Sequence, residues 1–142
     1  MILSYLGNVN WLAVLVCAIL SMVIGFIWYG PLFSKPWGRI TGWTSEKVSA
    51  LPKSSMVRSY IQAFIAAFII ASVLAVTLLA INAGGIGNGI IAAIVLWVGF
   101  TGATIGVNMT FERRPVSLFC IEAGYHLLTL VVYSIVLSLW TH

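Results

Sequence analysis

Apolar runs separated by short polar stretches divide the chain into four long blocks, roughly 11–29, 60–81, 88–109 and 116–140. Crossing the hydrocarbon core takes about 20 residues at about 1.5 Å of rise per residue. Each block is long enough, so the pattern predicts an all-α protein: one domain, residues 1–142, built as a membrane bundle of four transmembrane helices. The first block opens at Trp11 and closes at Trp28 and Tyr29, as rings at the two interfaces would, with Pro31 as its stop. Small residues recur every four positions in block one (Ala13, Cys17, Ser21, Gly25) and in block two (Ala63, Ala67, Ala71, Ala75). Such rows predict two helices packed closely on each other or on a copy of themselves. Block three sets Ala92, Gly99, Gly102, Ala103 and Gly106 on one side and Thr101, Thr104 and Asn108 on the other, which predicts a helix surrounded by protein.

The connections have their own punctuation. Ser34-Lys35-Pro36 reads as a helix start, and Trp37, Ile40 and Trp43 can rest on lipid while Lys35 and Arg39 reach phosphates, so a short interfacial helix is expected there. Thr44 or Ser45 then caps a second short turn that Pro52 ends. The uncharged, glycine-rich stretch 82–89 reads as a flexible hairpin. A faint echo links the two halves: Gly7-Asn8 and Gly87-Asn88 each precede a block, followed later by Ile24-Gly25 and Ile105-Gly106.

Charge sets the expected orientation. All 7 Lys and Arg fall in two stretches, residues 35–58 and the pair Arg113-Arg114, which four spans place on one side of the bilayer. The positive-inside bias makes that side cytoplasmic and puts both termini outside, N-out and C-out. A chain 61% hydrophobic and 7% charged, with mean hydropathy +1.09, lies outside the range of soluble domains. Its net charge of +4 points to anionic lipid head groups, not to nucleic acid. The first block lacks a basic start and a small-residue cleavage site, so it is expected to persist as a span. Cys17 and Cys120 sit in separate blocks and read as packing residues.

Candidate chemistry concentrates in the last block. Glu122, Tyr125, His126, Thr129 and Tyr133 share about a third of a helix circumference on an otherwise Leu, Val, Ile and Phe surface. Glu122 lies about 10 Å along the helix from its start. A charged side chain near a span's centre costs about 2.5–3.5 kcal/mol on insertion scales, so Glu122 wants a proton, a cation or a wet cavity. His126, one turn deeper, is the nearest partner by spacing, with Asn108 of block three across from it. The loop Glu112-Arg113-Arg114 can clamp an anionic head group with Lys35 and Arg39, or simply hold its hairpin on the basic side. No zinc motif and no nucleophile motif is legible; neither metal nor cofactor is expected, and no catalytic residue can be assigned.

The opening Asn8-Val9-Asn10-Trp11, the exit Trp28-Tyr29-Gly30-Pro31-Leu32-Phe33 with Lys35 and Trp37, the turn Phe111-Glu112-Arg113-Arg114 and the late Gly124-Tyr125-His126 follow one another in order. In these motifs the chain resembles domain-of-unknown-function family 1761, small bacterial membrane proteins. The resemblance covers nearly the whole chain and implies four spans, hence a bacterial inner membrane, but hands over no site residue. The leading expectation is a homo-oligomeric membrane protein whose Glu122–His126 site serves proton-coupled transport or binding of a small ligand. The alternatives are a membrane enzyme for a lipophilic substrate and a structural subunit in which the polar groups only fix helix register.

Overall fold

The computed structural model describes residues 1–140. In chain order, a 3₁₀ turn (Ile2–Asn8) leads into α1 (Trp11–Leu32), followed by the short α2 (Ser34–Thr41) and α3 (Ser45–Ser49), then α4 (Lys53–Ala80), α5 (Gly85–Phe111) and α6 (Val116–Trp140). Four of them, α1, α4, α5 and α6, are long and apolar enough to cross a membrane. They run up and down in turn, so the basic segments 35–58 and 113–114 lie at one end of the bundle, called the basic end below.

α1 and α6 form the centre of the bundle; α4 packs mainly on α1, and α5 mainly on α6. The core joins Ala13, Val14 and Cys17 of α1 to Ala71, Leu74 and Ala75 of α4, and to Leu130, Tyr133 and Leu137 of α6. Because acyl tails are as apolar as leucine, close packing and interhelical hydrogen bonds hold such helices together, and small residues allow both. The row on α4 is buried at Ala67, Ala71 and Ala75. The row on α1 shares the core with the α4 row through Ala13 and Cys17 and reaches α6 as well: Cys17 Sγ lies 3.9 Å from the Tyr133 carbonyl, and the Tyr125 hydroxyl donates to the Ser21 carbonyl at 3.1 Å. Asn10 fastens the other end, accepting from the Ala13 N–H at 3.2 Å as the α1 cap and donating to the Trp140 carbonyl at 3.0 Å.

Several boundaries differ from the sequence reading for identifiable reasons. α1 ends at Leu32, one residue past Pro31. The helix widens into a π turn over Trp28–Leu32, in which the Phe33 N–H reaches back five residues to the Trp28 carbonyl at 3.0 Å; the wide turn accommodates a ring that has no N–H to give. α4 begins at Lys53, directly after Pro52, so its first turns are polar and lead into the apolar stretch that starts near Tyr60. Stretch 82–89 is not a flexible hairpin. The turn closes early, with Asn82 in the left-handed region (φ 53°) and the Ala83 N–H on the Leu78 carbonyl at 2.9 Å, and α5 starts at Gly85. Gly89 is then a packing residue, since a Cβ there would sit 2.6 Å from Ser138 Oγ on α6.

α5 is the least buried of the four long helices, contrary to the expectation that protein surrounds it. Its glycine side meets α6 at Gly106, which touches Phe119, while Gly102 is covered by Trp97 from the same helix and nothing lies within contact distance of Gly99. α6 alone covers it extensively, so Thr104 and Asn108 are exposed.

The short helices of the first connection form where expected. Ser34–Thr41 is helical and ends at Gly42, whose φ of 80° suits glycine. Thr44 caps α3 by accepting from the Lys47 N–H at 3.3 Å.

Candidate functional site

The polar stripe of α6 faces α1 of the same chain. Tyr133 is buried and shares a side-chain hydrogen bond with Ser21, whose own hydroxyl donates to the Ala18 carbonyl at 2.8 Å. Thr129 is buried too, with its hydroxyl donating to the His126 carbonyl at 2.9 Å. These two residues are interior glue and do not border open space. Tyr125 is one turn nearer the basic end, and Gly25 makes room for it: a Cβ at position 25 would lie 3.2 Å from the tyrosine oxygen.

Below that contact α1 and α4 part, leaving a cavity of about 430 Å³ walled by Ser21, Gly25, Phe26, Tyr29, Tyr60 and Tyr125, among others. Its chemistry is aromatic and apolar with three phenol groups. It opens sideways between the basic halves of the two helices, where Phe26 and Tyr60 stack at 6.2 Å and are both exposed. A volume of this size lies in the usual range for small-molecule sites, about 300–1,000 Å³.

Glu122 is half-buried beside this region. Among the described residues it forms no hydrogen bond or ion pair; the charged groups it feels are Arg114 and Glu112 in the turn before α6, and it acts in turn on Tyr29. His126 is half-buried, with its ring edge-on to Tyr125 at 5.3 Å, and makes no hydrogen bond to Glu122. Asn108 is not brought into the group, because it lies on the exposed side of α5. Glu112 and Arg114 approach to 3.9 Å as an exposed pair, next to Arg113 in the left-handed region (φ 57°). Lys35 and Arg39 are exposed on α2 and line a second cavity, distinct from the 112–114 turn.

The segment carrying Glu122 is pinned by two tryptophans that the sequence reading did not place in the site. The Trp28 indole donates to the Ile121 carbonyl at 2.9 Å, and the Trp97 indole donates to the Ala123 carbonyl at 2.9 Å. Each tryptophan begins a π turn, one in α1 and one in α5. π turns inside long helices recur at functional sites. Trp28 is thus seated on α6, and Gly124 supplies its seat, since a Cβ there would meet the ring at 3.2 Å. Tyr29, also read as an interface ring, contacts Tyr125 at 5.4 Å and Trp37 of α2 at 5.9 Å between ring centres. A legible signal existed for Trp97: an indole N–H in the middle of an apolar helix requires an acceptor.

No curated protein and no solved structure matches the chain. The model of the family described as "Protein of unknown function (DUF1761)" matches residues 12–138, a stretch that takes in nearly all of the four long helices, and the chain belongs to that family.

Proposed function

We propose that this multi-pass membrane protein binds a small lipophilic molecule in the tyrosine-walled crevice, and that binding is linked to a proton on Glu122. In this reading the basic end is cytoplasmic, α2 lies in the interface, the membrane is the bacterial inner membrane and both termini are outside. The observation that carries the proposal is a crevice between two spanning-length helices, walled by a Tyr29 that also feels Glu122, a carboxyl group that finds no hydrogen-bond or ion-pair partner among the described residues. Polar groups that serve only as glue are paired, as Thr129 and Tyr133 are. Glu122 is not, so its site is completed from outside the chain: by a proton, water or a ligand. His126, packed on Tyr125, is the second group able to exchange a proton there.

An uncharged photoreactive alkyl probe in proteoliposomes tests the binding. It labels residues such as Met22 and Phe26, and Ala63→Trp, which fills the crevice from α4, suppresses that labelling. Ala66→Trp, on the exposed surface of the same helix, leaves it intact. Equal labelling of wild type and both variants reduces the crevice to ordinary lipid contact.

The proton link has its own test. A carboxyl group beside an apolar occupant costs less neutral than charged, so labelling rises as the medium is acidified. Glu122→Gln, permanently neutral, labels strongly at every pH. A wild-type profile that is flat, or one that Glu122→Gln leaves unchanged, removes Glu122 from the mechanism.

A further inference from the structure

Tyr29 is a wall of two cavities. On its membrane side is the crevice of about 430 Å³; on its other side a cup of about 650 Å³ lies under α2 and α3, lined by Tyr29, Lys35, Trp37, Arg39, Trp43 and Ser45 among others. The two spaces meet at one ring, held between Tyr125 and Trp37. No acidic residue lines the cup, and neither Lys35 nor Arg39 is in an ion pair among the described residues. The Tyr29 hydroxyl likewise has no hydrogen-bond partner among them. Gly38 sets the shape of the cup: a Cβ there would lie 2.8 Å from the Trp43 carbonyl, so the chain folds back on α2 closely enough to bring Trp43 over the same space as Lys35.

We propose that this pair of cavities is one site for an anionic phospholipid, its phosphate in the cup between Lys35 and Arg39 and one acyl chain passing Tyr29 into the crevice. The ligand class follows from the two linings. An unpaired lysine and arginine beside indoles and hydroxyls match a phosphate at the level where tryptophans sit in a bilayer. The aromatic and apolar crevice matches hydrocarbon. This inference rests on the crevice reading above and adds the head group to it.

The experiment uses the full-length protein in phosphatidylcholine vesicles containing a trace of photoreactive phosphatidylglycerol or photoreactive phosphatidylcholine. Each lipid is made in two versions, with the reactive group at the chain end or in the head group. A basic residue near an anionic lipid surface contributes about 1 kcal/mol, or about fivefold in affinity, so Lys35 and Arg39 together favour phosphatidylglycerol by about twenty-fivefold. Chain-end phosphatidylglycerol is expected to label the crevice, and its head-group version the cup near Trp43, each well above the phosphatidylcholine counterpart. Lys35→Gln with Arg39→Gln brings both down to the phosphatidylcholine level. Lys53→Gln with Arg58→Gln removes equal charge from the same end, outside the cup, and leaves the preference in place.

Equal labelling by the two lipids, or an equal loss in both double variants, overturns the proposal in favour of general attraction to the basic end. The two readings fail differently. A crevice that takes the uncharged probe but shows no lipid preference retains the lipophilic site and loses the head group. A cup that retains its preference while the crevice stays unlabelled by every chain-end probe overturns the shared site and the crevice reading with it.

Discussion

Tyr133→Ala lowers the stability of the purified protein in mixed micelles by about 2–4 kcal/mol, the range of large core truncations once the transfer contribution is reduced by an apolar surrounding. Tyr133 is the largest of the fully buried side chains at 2% exposure, and it stands where α1 meets α6. Its removal leaves a void lined by Cys17 and the α4 side of the core, and breaks the bond to Ser21. Tyr133→Phe retains the ring and loses only that bond, which costs about 0.6 kcal/mol, the average for interhelical hydrogen bonds in a membrane protein. Reversible unfolding in increasing denaturing detergent measures both. An alanine variant within about 1 kcal/mol of wild type means that the α1–α6 contact is not the core of the bundle.

Gly124→Leu costs about 2–3 kcal/mol, combining overpacking with one lost hydrogen bond. At this position the first added carbon already lies 3.2 Å from the Trp28 ring, and a leucine drives the indole off the Ile121 carbonyl. Gly124→Ala asks the ring to yield by a few tenths of an ångström and is milder. The decisive measurement is a double-mutant cycle. With Trp28→Ala in the background there is no ring to displace, and Gly124→Leu loses most of its cost. If the leucine is as damaging without the indole as with it, the glycine serves something other than the Trp28 seat.

How far the architecture could be read in advance depended on which kind of signal each element carries. The four long helices announce themselves through block length, and the α2–α3 connection through Ser34-Lys35-Pro36, Thr44 and Pro52, because length and capping are local properties. The stripe from Glu122 to Tyr133 was likewise legible as one face of a helix, since periodicity alone fixes that. Which neighbour a face meets is not local. The α1 row of Ala13, Cys17, Ser21 and Gly25 predicts close approach to a helix such as α4, which the shared core bears out, but not that α6 also arrives, through the Tyr125 hydroxyl on the Ser21 carbonyl. Asn108 misled for the same reason: a polar residue in a span suggests a partner, yet the turn at 112–115 brings α5 against α6 with that side outward. Trp28 and Tyr29 fit the interfacial pattern by position, but the contacts they make, Trp28 on the Ile121 carbonyl and Tyr29 between Tyr125 and Trp37, are long-range and leave no trace in the periodicity.

Both α1 and α5 widen into a π turn at a tryptophan, and both indoles reach the same helix. The two turns do not follow the faint echo between the halves, whose offset of about 80 residues sets Trp97 opposite Cys17 and not opposite Trp28. The packing is unequal as well, for α1 and α6 share the centre while α4 and α5 scarcely touch.

Carbonyls two residues apart sit about 200° apart around a helix axis, so Trp28 and Trp97 grip α6 from opposite flanks, one just before the acid and one just after it. A rod clasped in this way cannot slide or spin by one step without surrendering both grips together. Glu122 therefore rides on the stator of the assembly. The basic half of α4, by contrast, has largely exposed side chains and no comparable clasp. In the binding proposed above, the acid would therefore keep its place, and any yielding would fall to the less firmly held α4 wall.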